Sequence, residues 1–301
     1  MTFAEFLYNY EYIKLNGFLR ETLAGNANLF YALAIGWILI SYVAGSLNFA
    51  IIISNGIYRD DIRTHGSGNA GFTNMKRTFG TKAAIAVIAG DLLKTILSVT
   101  VAMLLFGADI ATLAGLACIF GHCFPLFYKF KGGKGVAALA AMVLVLDPIV
   151  FLVLLALFAI LVIGTKYLSV GSIMAMVLYP LIHNRIYTFI HYDVLPGYFV
   201  DNGLFTEIVT LNGAITEVPD IQYTLYHTPS SIMVIVAVFI ALFGVIMHRT
   251  NIRRIANGTE NRFYISKKQK EKYEASLKKT APVSRHRLDE LDEELTESDR
   301  D

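Results

Sequence analysis

The residues that could do chemistry in this sequence are concentrated in three short polar segments. The first polar segment, residues 63–77, combines three glycines with short hydroxyl and amide side chains and ends in an arginine. Glycines let backbone N–H groups approach an anion closely, the short side chains add neutral donors, and an arginine fork suits phosphate. We therefore predict an anion site with these candidates: Ser67, Gly68, Asn69, Gly71, Thr73, Asn74 and Arg77.

The glycine spacing of the first polar segment also matches a dinucleotide fingerprint, G-x-G-x-x-G, at Gly66, Gly68 and Gly71. That fingerprint requires a preceding strand, a following helix and an acidic residue about 20 positions further on. An apolar span precedes the segment here, so we do not predict dinucleotide binding. We expect the segment to run into the next apolar span, whose N-terminus favours an anion. A simple connecting loop is the alternative.

The second polar segment, residues 121–135, ends in two lysines set among three glycines. It resembles part of a P-loop but lacks the Ser or Thr after the lysine and the motif's spacing, so nucleotide hydrolysis is not predicted. The alternative is that the lysines only hold the segment at the cytoplasmic membrane face, but that role would not need glycines. We predict phosphate binding by Lys131, Gly132, Gly133, Lys134 and Gly135, with His122 either supporting the site or packing at a helix end.

The third polar segment, residues 248–260, begins where the last apolar stretch ends. His248 and Asn251 share a face if the helix continues, and a histidine can act as a general base near neutral pH. Glu260 can brace a basic neighbour. For the three arginines, anchoring to lipid headgroups is the preferred interpretation: Arg249, Arg253 and Arg254.

A few polar residues lie apart from these segments. Asp91 and Lys94 are three residues apart inside an apolar stretch, and charges inside a membrane are functional candidates by default. A mutually paired structural lock fits them equally well. Ser172 lies three residues after Ser169, for which helix capping is the simple interpretation. No cluster has metal-ligand spacing and no catalytic triad or nucleophilic Cys is evident, so we predict direct transfer without metal or cofactor.

Apolar stretches must position these segments. The chain of 301 residues is 55% hydrophobic and 17% charged, with a mean hydropathy of +0.52. Soluble domains carry about a quarter charged residues. We therefore predict an all-α polytopic membrane protein with about seven transmembrane helices. The expected spans are Leu29–Ile53, Thr81–Phe106, Asp109–Phe127, Gly135–Leu146, Ile149–Thr165, Ser169–Ile190 and Ser231–His248.

The positions of the basic residues predict the orientation of these spans. Of 26 Lys and Arg, 13 lie at or after Arg249, and most others fall in every second connection. Because cytoplasmic loops are rich in Lys and Arg, the N-terminus is expected outside and the C-terminus in the cytoplasm. All three polar segments then face the cytoplasm.

We expect an outer segment (1–28) that is not a signal peptide, a membrane domain (29–260) with an outer insertion (about 191–229), and a charged cytoplasmic tail (261–301).

Two anion sites and a histidine beside a bilayer suggest two phosphorylated substrates, at least one carrying an acyl chain. The three polar segments resemble the signature motifs of the bacterial acyl-phosphate:glycerol-3-phosphate acyltransferase family (PlsY type). The runs that carry the resemblance are Gly66-Ser-Gly-Asn-Ala-Gly-Phe-Thr-Asn-Met-Lys-Arg77, Gly121-His-Cys-Phe-Pro125, Phe130-Lys-Gly-Gly-Lys-Gly-Val136, His248-Arg-Thr-Asn-Ile-Arg-Arg254, Asp91-Leu-Leu-Lys94 and Tyr167-Leu-Ser-Val-Gly-Ser172.

The resemblance implies an enzyme of bacterial cell membranes that begins phospholipid synthesis. In the reaction that the resemblance implies, the 1-hydroxyl of glycerol 3-phosphate attacks an acyl phosphate, giving 1-acylglycerol 3-phosphate and phosphate. It implies that Ser67 and Arg77 bind and polarise the acyl phosphate, and that residues 131–135 bind glycerol 3-phosphate. By the same resemblance, His248 and Asn251 are expected to orient or deprotonate the hydroxyl, and a substrate phosphate oxygen is the alternative proton acceptor.

This sequence departs from the family pattern at Phe72, where a small residue is common, and in its outer insertion and tail. We expect a monomer that contacts membrane lipid and binds no nucleic acid. The alternatives are a transporter of a phosphorylated metabolite and a non-catalytic lipid-binding scaffold. A transporter is expected to place its site at the membrane midplane, often between internal repeats, whereas the polar groups here cluster at one face.

Overall fold

The computed structural model describes residues 17–188 and 231–263, and the regular structure within these ranges is entirely helical. Two 3-10 turns, Ile62–Thr64 and Leu126–Tyr128, interrupt the connections between the helices. The helices are α1 (Phe18–Thr22), α2 (Ala27–Ser46), α3 (Phe49–Ile57), α4 (Phe72–Thr78), α5 (Thr81–Phe106), α6 (Ala108–Cys123), α7 (Val136–Leu146), α8 (Pro148–Thr165), α9 (Leu168–Thr188), α10 (Ser231–Met247) and α11 (Arg249–Ala256). The predicted outer insertion, nearly all of the tail and residues 1–16 lie outside the described residues.

Several of these helices are long and apolar enough to cross a membrane. Within the described residues, four meet both requirements alone: α2, α5, α6 with its following turn, and α8. Helices α10 and α11 meet at a 55° bend and would count as a fifth span if taken together. Helix α7 and the Leu168–Asn184 part of α9 are apolar but shorter than a span requires. Large apolar side chains such as Leu152 and Ile160 are more than 60% exposed on α8, a surface suited to lipid.

The first predicted span is not one continuous helix, so the expected range Leu29–Ile53 was wrong. Helix α2 ends at Ser46, and α3 begins at Phe49 with Asn48 as its N-cap. The Asn48 Oδ1 accepts the Ile51 N–H at 3.2 Å. Asparagine competes with the helix for backbone hydrogen bonds and favours a helix start, which explains why an apolar run breaks here.

The first polar segment also does not run directly into the next span. Its last residues form the separate short helix α4, and Gly80 with φ 87° then turns the chain before α5 begins at Thr81. A positive φ of this kind suits glycine. The expectation of direct continuity was therefore wrong, and α4 packs against the start of α5 instead.

The core of the bundle lies among α5, α6, α7, α8, α9 and α10. Small residues let these helices approach closely, as in membrane helix pairs generally. A Cβ on Gly45 of α2 would overlap the backbone of Cys118 in α6, and one on Gly115 would lie 2.5 Å from Met142. A second, smaller apolar cluster joins α3, α4 and the start of α5, and it holds the first polar segment at one end of the bundle.

Candidate active site

Two adjoining cavities lie at the bundle end that carries the three polar segments. The larger cavity, about 720 Å³, is lined by residues of the first and third polar segments and continues between α7, α8 and α9. The smaller cavity, about 340 Å³, lies between the second polar segment and α10–α11. Four residues line both cavities and so mark their junction: Ser67, Asn69, Lys134 and Arg254.

The first polar segment is shaped from within by Asn74, which is 1% exposed. Its Oδ1 accepts the Ser67 N–H at 3.1 Å, and its Nδ2 donates to the carbonyls of Ile62 at 3.0 Å and His65 at 2.9 Å. The Asn74 side chain thus holds the backbone of residues 62–67 in place, and Asn74 also lines the larger cavity. Arg77, one helical turn further on, is exposed and lines the same cavity.

The second polar segment folds back onto the end of α6. The Gly132 N–H donates to the Cys123 carbonyl at 3.1 Å, and the Gly133 N–H donates to the His122 carbonyl at 3.0 Å. A Cβ on Gly133 would overlap the His122 ring and lie 2.8 Å from the Ala70 carbonyl. Glycine is therefore required here because the backbone of this segment lies directly against the first polar segment.

Arg63 provides a second connection between these two segments. Its Nη1 donates to the carbonyls of Tyr128 at 2.9 Å and Lys131 at 3.3 Å. Asp61 pairs with the same guanidinium at 2.7 Å. The hydrogen bond from Arg63 holds the pKa of Asp61 below its usual value, so this carboxylate stays charged and orients the arginine.

A hydrogen-bond network centred on Glu260 joins the second and third polar segments. The Lys134 ammonium donates to the Asn251 Oδ1, and the Asn251 Nδ2 donates to the Glu260 Oε1 at 2.7 Å. Glu260 also accepts from Arg254 Nε and from Ser169 Oγ, each at 2.8 Å. Burial raises the pKa of Glu260, but the hydrogen bonds from Arg254, Asn251 and Ser169 outweigh it and hold that pKa below its usual value.

Lys134 lies where positive charge is concentrated. Burial, followed by repulsion from Arg254 and Arg77, lowers the pKa of Lys134 to about 8, although Glu260 partly opposes the change. A lysine that is partly desolvated among arginines gains strongly from an anionic ligand, since the ligand replaces lost solvation and offsets the repulsion. The junction of the two cavities is therefore suited to a phosphate group.

His248 is 2% exposed and lies at the bend between α10 and α11. Its Nδ1 is 2.8 Å from the Gly244 carbonyl oxygen. A carbonyl only accepts, so Nδ1 carries the hydrogen, and in the neutral imidazole Nε2 then keeps a lone pair. Since His248 lines the larger cavity beside Asn251, its Nε2 is available to accept a hydrogen bond there.

Asp91 and Lys94 form a buried ion pair of 2.8 Å, with side chains 3% and 5% exposed. Lys94 also donates to the carbonyls of Gly45 at 2.9 Å and Leu47 at 2.8 Å, where the chain breaks between α2 and α3. The pair thus satisfies backbone groups that the break leaves open. Asp91 reaches the wall of the larger cavity, whereas Lys94 lines neither cavity.

The larger cavity extends into an apolar channel between α7, α8 and α9. Along α8 its wall runs from Ile163 to Phe151, twelve residue steps or about 18 Å. That length is roughly half of the hydrocarbon core of a bilayer. Its walls are formed by Val136, Leu139, Ala140, Val143, Leu144, Phe151, Leu154, Leu155, Phe158, Ala159, Val162, Ile163 and Leu168. The channel can hold an extended apolar chain with its polar end at the junction of the cavities.

Comparison with known proteins identifies the family of this chain. The sequence profile of the glycerol-3-phosphate acyltransferase family matches residues 35–258. The chain belongs to this family. It is 34% identical over 233 residues to glycerol-3-phosphate acyltransferase 3 of Bacillus anthracis, covering 77% of this chain and 96% of that protein. It is 33% identical over 223 residues to the Bacillus subtilis glycerol-3-phosphate acyltransferase, covering 74% and 94% respectively.

Solved structures with the same fold include two crystal structures of PlsY, an integral membrane glycerol 3-phosphate acyltransferase. Its glycerol 3-phosphate form has a TM-score of 0.59 at 27% identity and covers 77% of this chain and 96% of that chain. Its lysophosphatidic acid form has a TM-score of 0.56 at 27% identity and covers 77% and 95%. This acyltransferase chain is therefore a multi-pass membrane protein.

The structure of this glycerol-3-phosphate acyltransferase brings almost all of the predicted site residues together. Apart from Lys94, every predicted residue lines at least one of the two cavities, and Ser172 lines the larger one. Sequence reasoning missed Arg254, which was interpreted as a lipid anchor but lies at the cavity junction. Arg254 follows Asn251 by three residues, so the shared helical face was a signal that could have separated it from Arg253.

Proposed function

We propose that this chain transfers an acyl group from an acyl phosphate to the 1-hydroxyl of glycerol 3-phosphate. The products are 1-acylglycerol 3-phosphate and inorganic phosphate, and the reaction is the first step of phospholipid synthesis. The junction of the two cavities carries this proposal, because one continues into an apolar channel and the other is lined by lysines and arginine. A donor with an acyl chain and a small phosphorylated acceptor would meet there.

The two substrates have separate places in this arrangement. The acyl chain occupies the apolar channel, and the acyl phosphate group lies at the first polar segment beside Ser67 and Arg77. Glycerol 3-phosphate occupies the smaller cavity against the second polar segment. The remaining predicted residues, Gly68, Asn69, Gly71, Thr73 and Asn74, shape the phosphate pocket, and Ser172 lines the channel mouth.

In the reaction, the 1-oxygen of glycerol 3-phosphate forms a bond to the acyl carbonyl carbon. The bond from that carbon to the bridging phosphate oxygen breaks, and phosphate leaves with the electron pair. The hydroxyl proton passes to His248 Nε2 or to an oxygen of the leaving phosphate. Acyl phosphates are already activated, so positioning and stabilisation of developing negative charge by Arg77 and Lys134 supply most of the catalysis.

For the membrane arrangement, we propose seven spans with the N-terminus outside and the C-terminus in the cytoplasm. The basic segments and both cavities lie at the same end of the bundle, in accordance with a cytoplasmic site. Gly17 packs against the backbone of Phe106 and Gly107, at the other end of α5. We place this monomer in a bacterial cell membrane, with residues 29–260 as the catalytic domain, 1–28 and about 191–229 outside, and 261–301 in the cytoplasm.

The direct test uses the purified full-length chain in detergent with an acyl phosphate and labelled glycerol 3-phosphate. We expect labelled lysophosphatidic acid and released phosphate in equal amounts, and no transfer when acyl-CoA or acyl carrier protein is the donor. A transporter would instead move labelled glycerol 3-phosphate into proteoliposomes without product. A lipid-binding scaffold would bind the acyl phosphate without turnover, and either result would refute the proposal.

Two substitutions test the assignment of the donor site. Ser67→Ala and Arg77→Ala are expected to abolish turnover, because both side chains line the larger cavity at its polar end. Arg253→Ala is the matched control, since Arg253 lies outside both cavities. Rates close to wild type in the Ser67 and Arg77 variants would place the acyl phosphate elsewhere.

A further inference from the structure

Asn48 is fully buried at the point where the first and second polar segments approach each other. Its Nδ2 donates to the Ala70 carbonyl at 3.3 Å and to the His122 carbonyl at 3.4 Å. Ala70 belongs to the first polar segment, between Asn69 and Gly71. His122 belongs to the second. A single side-chain amide therefore contacts the backbone of both segments.

The same His122 carbonyl is a support for the glycerol 3-phosphate side of the site. It accepts the Gly133 N–H at 3.0 Å as well as the Asn48 amide. The backbone of Gly133 also lies directly against the Ala70 carbonyl, since a Cβ there would come within 2.8 Å of that oxygen. Asn48, Ala70, His122 and Gly133 thus form one contiguous contact across the two segments.

The orientation of the Asn48 amide is determined by its other contacts. Its Oδ1 accepts the Ile51 N–H at the start of α3, which leaves the NH₂ group facing the two carbonyls. The Lys94 ammonium holds the adjacent Leu47 carbonyl at 2.8 Å, so the backbone before Asn48 is also held. Because Asn48 has no exposed surface, water does not replace a lost amide donor without a change in the packing.

We propose that Asn48 is a positioning residue that sets the separation between the acyl phosphate segment and the glycerol 3-phosphate segment. It acts through the carbonyls of Ala70 and His122 and lines neither cavity. This inference rests on the proposed function, because it assigns one substrate to each segment. Loss of the amide donors shifts the two reactants relative to each other while each segment keeps its own ligands, so kcat falls and the two KM values change little.

The test separates this role from capping of α3. Asn48→Asp and Asn48→Ser both keep an oxygen that can cap the helix but lose the amide donors. The matched controls are Asn26→Asp and Asn26→Ser, because Asn26 caps α2 through Oδ1 and the Leu29 N–H at 3.1 Å and is exposed. For each full-length variant, kcat, both KM values and the midpoint of thermal unfolding are measured in detergent beside wild type.

We expect kcat to fall by about tenfold to a hundredfold in both Asn48 variants, with each KM within about threefold of wild type and the Asn26 variants unchanged. Normal kcat in a folded Asn48 variant, or an equal loss in the Asn26 variants, would overturn the positioning role. If neither Asn48 variant folds while both Asn26 variants do, Asn48 serves the stability of the fold, and the positioning role is overturned as well. A wild-type chain without transfer would instead refute the proposed function, and this inference with it.

Discussion

The Glu260 carboxylate accepts a hydrogen bond from the Asn251 side-chain amide, with Oε1 2.7 Å from Nδ2. This contact turns the Asn251 Oδ1 towards Lys134, which donates to it. Arg254 and Ser169 donate to the same carboxylate. Glu260 thus orients three polar side chains of the larger cavity from a position just beyond the end of α11.

Replacement of Glu260 by Gln is expected to lower kcat/KM about tenfold to a hundredfold, because hydrogen bonds to a charged group are worth about 1.5–3 kcal/mol. The variant keeps the shape of the side chain but removes the charge that holds Arg254 and Asn251. Steady-state transfer rates measure the effect. Asp60→Asn is the control. The Asp60 carboxylate pairs with His65 at 2.7 Å, and neither residue lines a cavity. Equal rates in the two variants would contradict the role of Glu260.

The lowered pKa of Lys134 predicts an alkaline limit to activity. As the pH rises through about 8, the free enzyme loses the Lys134 proton and with it a cation that attracts phosphate. We therefore expect kcat/KM to fall above about pH 8, as measured in a pH series at constant ionic strength.

Lys134→Arg tests that explanation, since arginine stays charged throughout this range. In this variant the fall of kcat/KM on the alkaline side is expected to begin at a higher pH, even if the absolute rate of the variant is lower. Lys82→Arg, at the start of α5 and outside both cavities, is expected to leave the profile unchanged. If kcat/KM of the Lys134→Arg variant falls at the same pH as that of wild type, another group is responsible for the fall.

Arg254 lines both cavities, so its replacement is expected to affect both substrates. Arg254→Lys keeps the charge but loses the planar fork that can donate to Glu260 and to a phosphate together. We expect both KM values to rise about tenfold or more in two-substrate kinetics. Arg253→Lys is the adjacent control, and a rise in only one KM would place Arg254 with that substrate alone.

Gly133→Ala is expected chiefly to raise the KM for glycerol 3-phosphate, by about tenfold or more. The added methyl group would meet the His122 ring and the Ala70 carbonyl, so the second polar segment must shift. Gly164→Ala is the control, because a Cβ at Gly164 has no neighbouring atom within 4 Å. An unchanged KM for glycerol 3-phosphate would remove Gly133 from the acceptor site.

The apolar channel predicts a chain-length effect on the donor. Ala159→Phe places a ring in the channel wall and is expected to lower kcat/KM for long-chain acyl phosphates more than tenfold, with a smaller loss for short chains. Ala156→Phe is the control, since Ala156 lies on the same helix and outside the channel. The same loss in both variants, or no dependence on chain length, would place the acyl chain elsewhere.

Much of the fold was predictable because its signals are local. Each predicted apolar stretch contains a helix, since about 20 apolar residues suit a spanning helix whatever lies beside it. The break at Asn48 was missed, because a capping asparagine inside an apolar run resembles an ordinary polar residue of a membrane helix.

The linear order of the residues is enough to recognise two glycine-rich anion segments, a histidine and a set of apolar helices. Which of these groups meet depends on how the helices pack. Lys134 and Asn251 lie 117 residues apart, and the bend of 55° at His248 directs Arg254 towards the junction of the cavities. Such contacts depend on helix packing and on the angle between helices, whereas periodicity along the chain reports only which residues share a face of one helix.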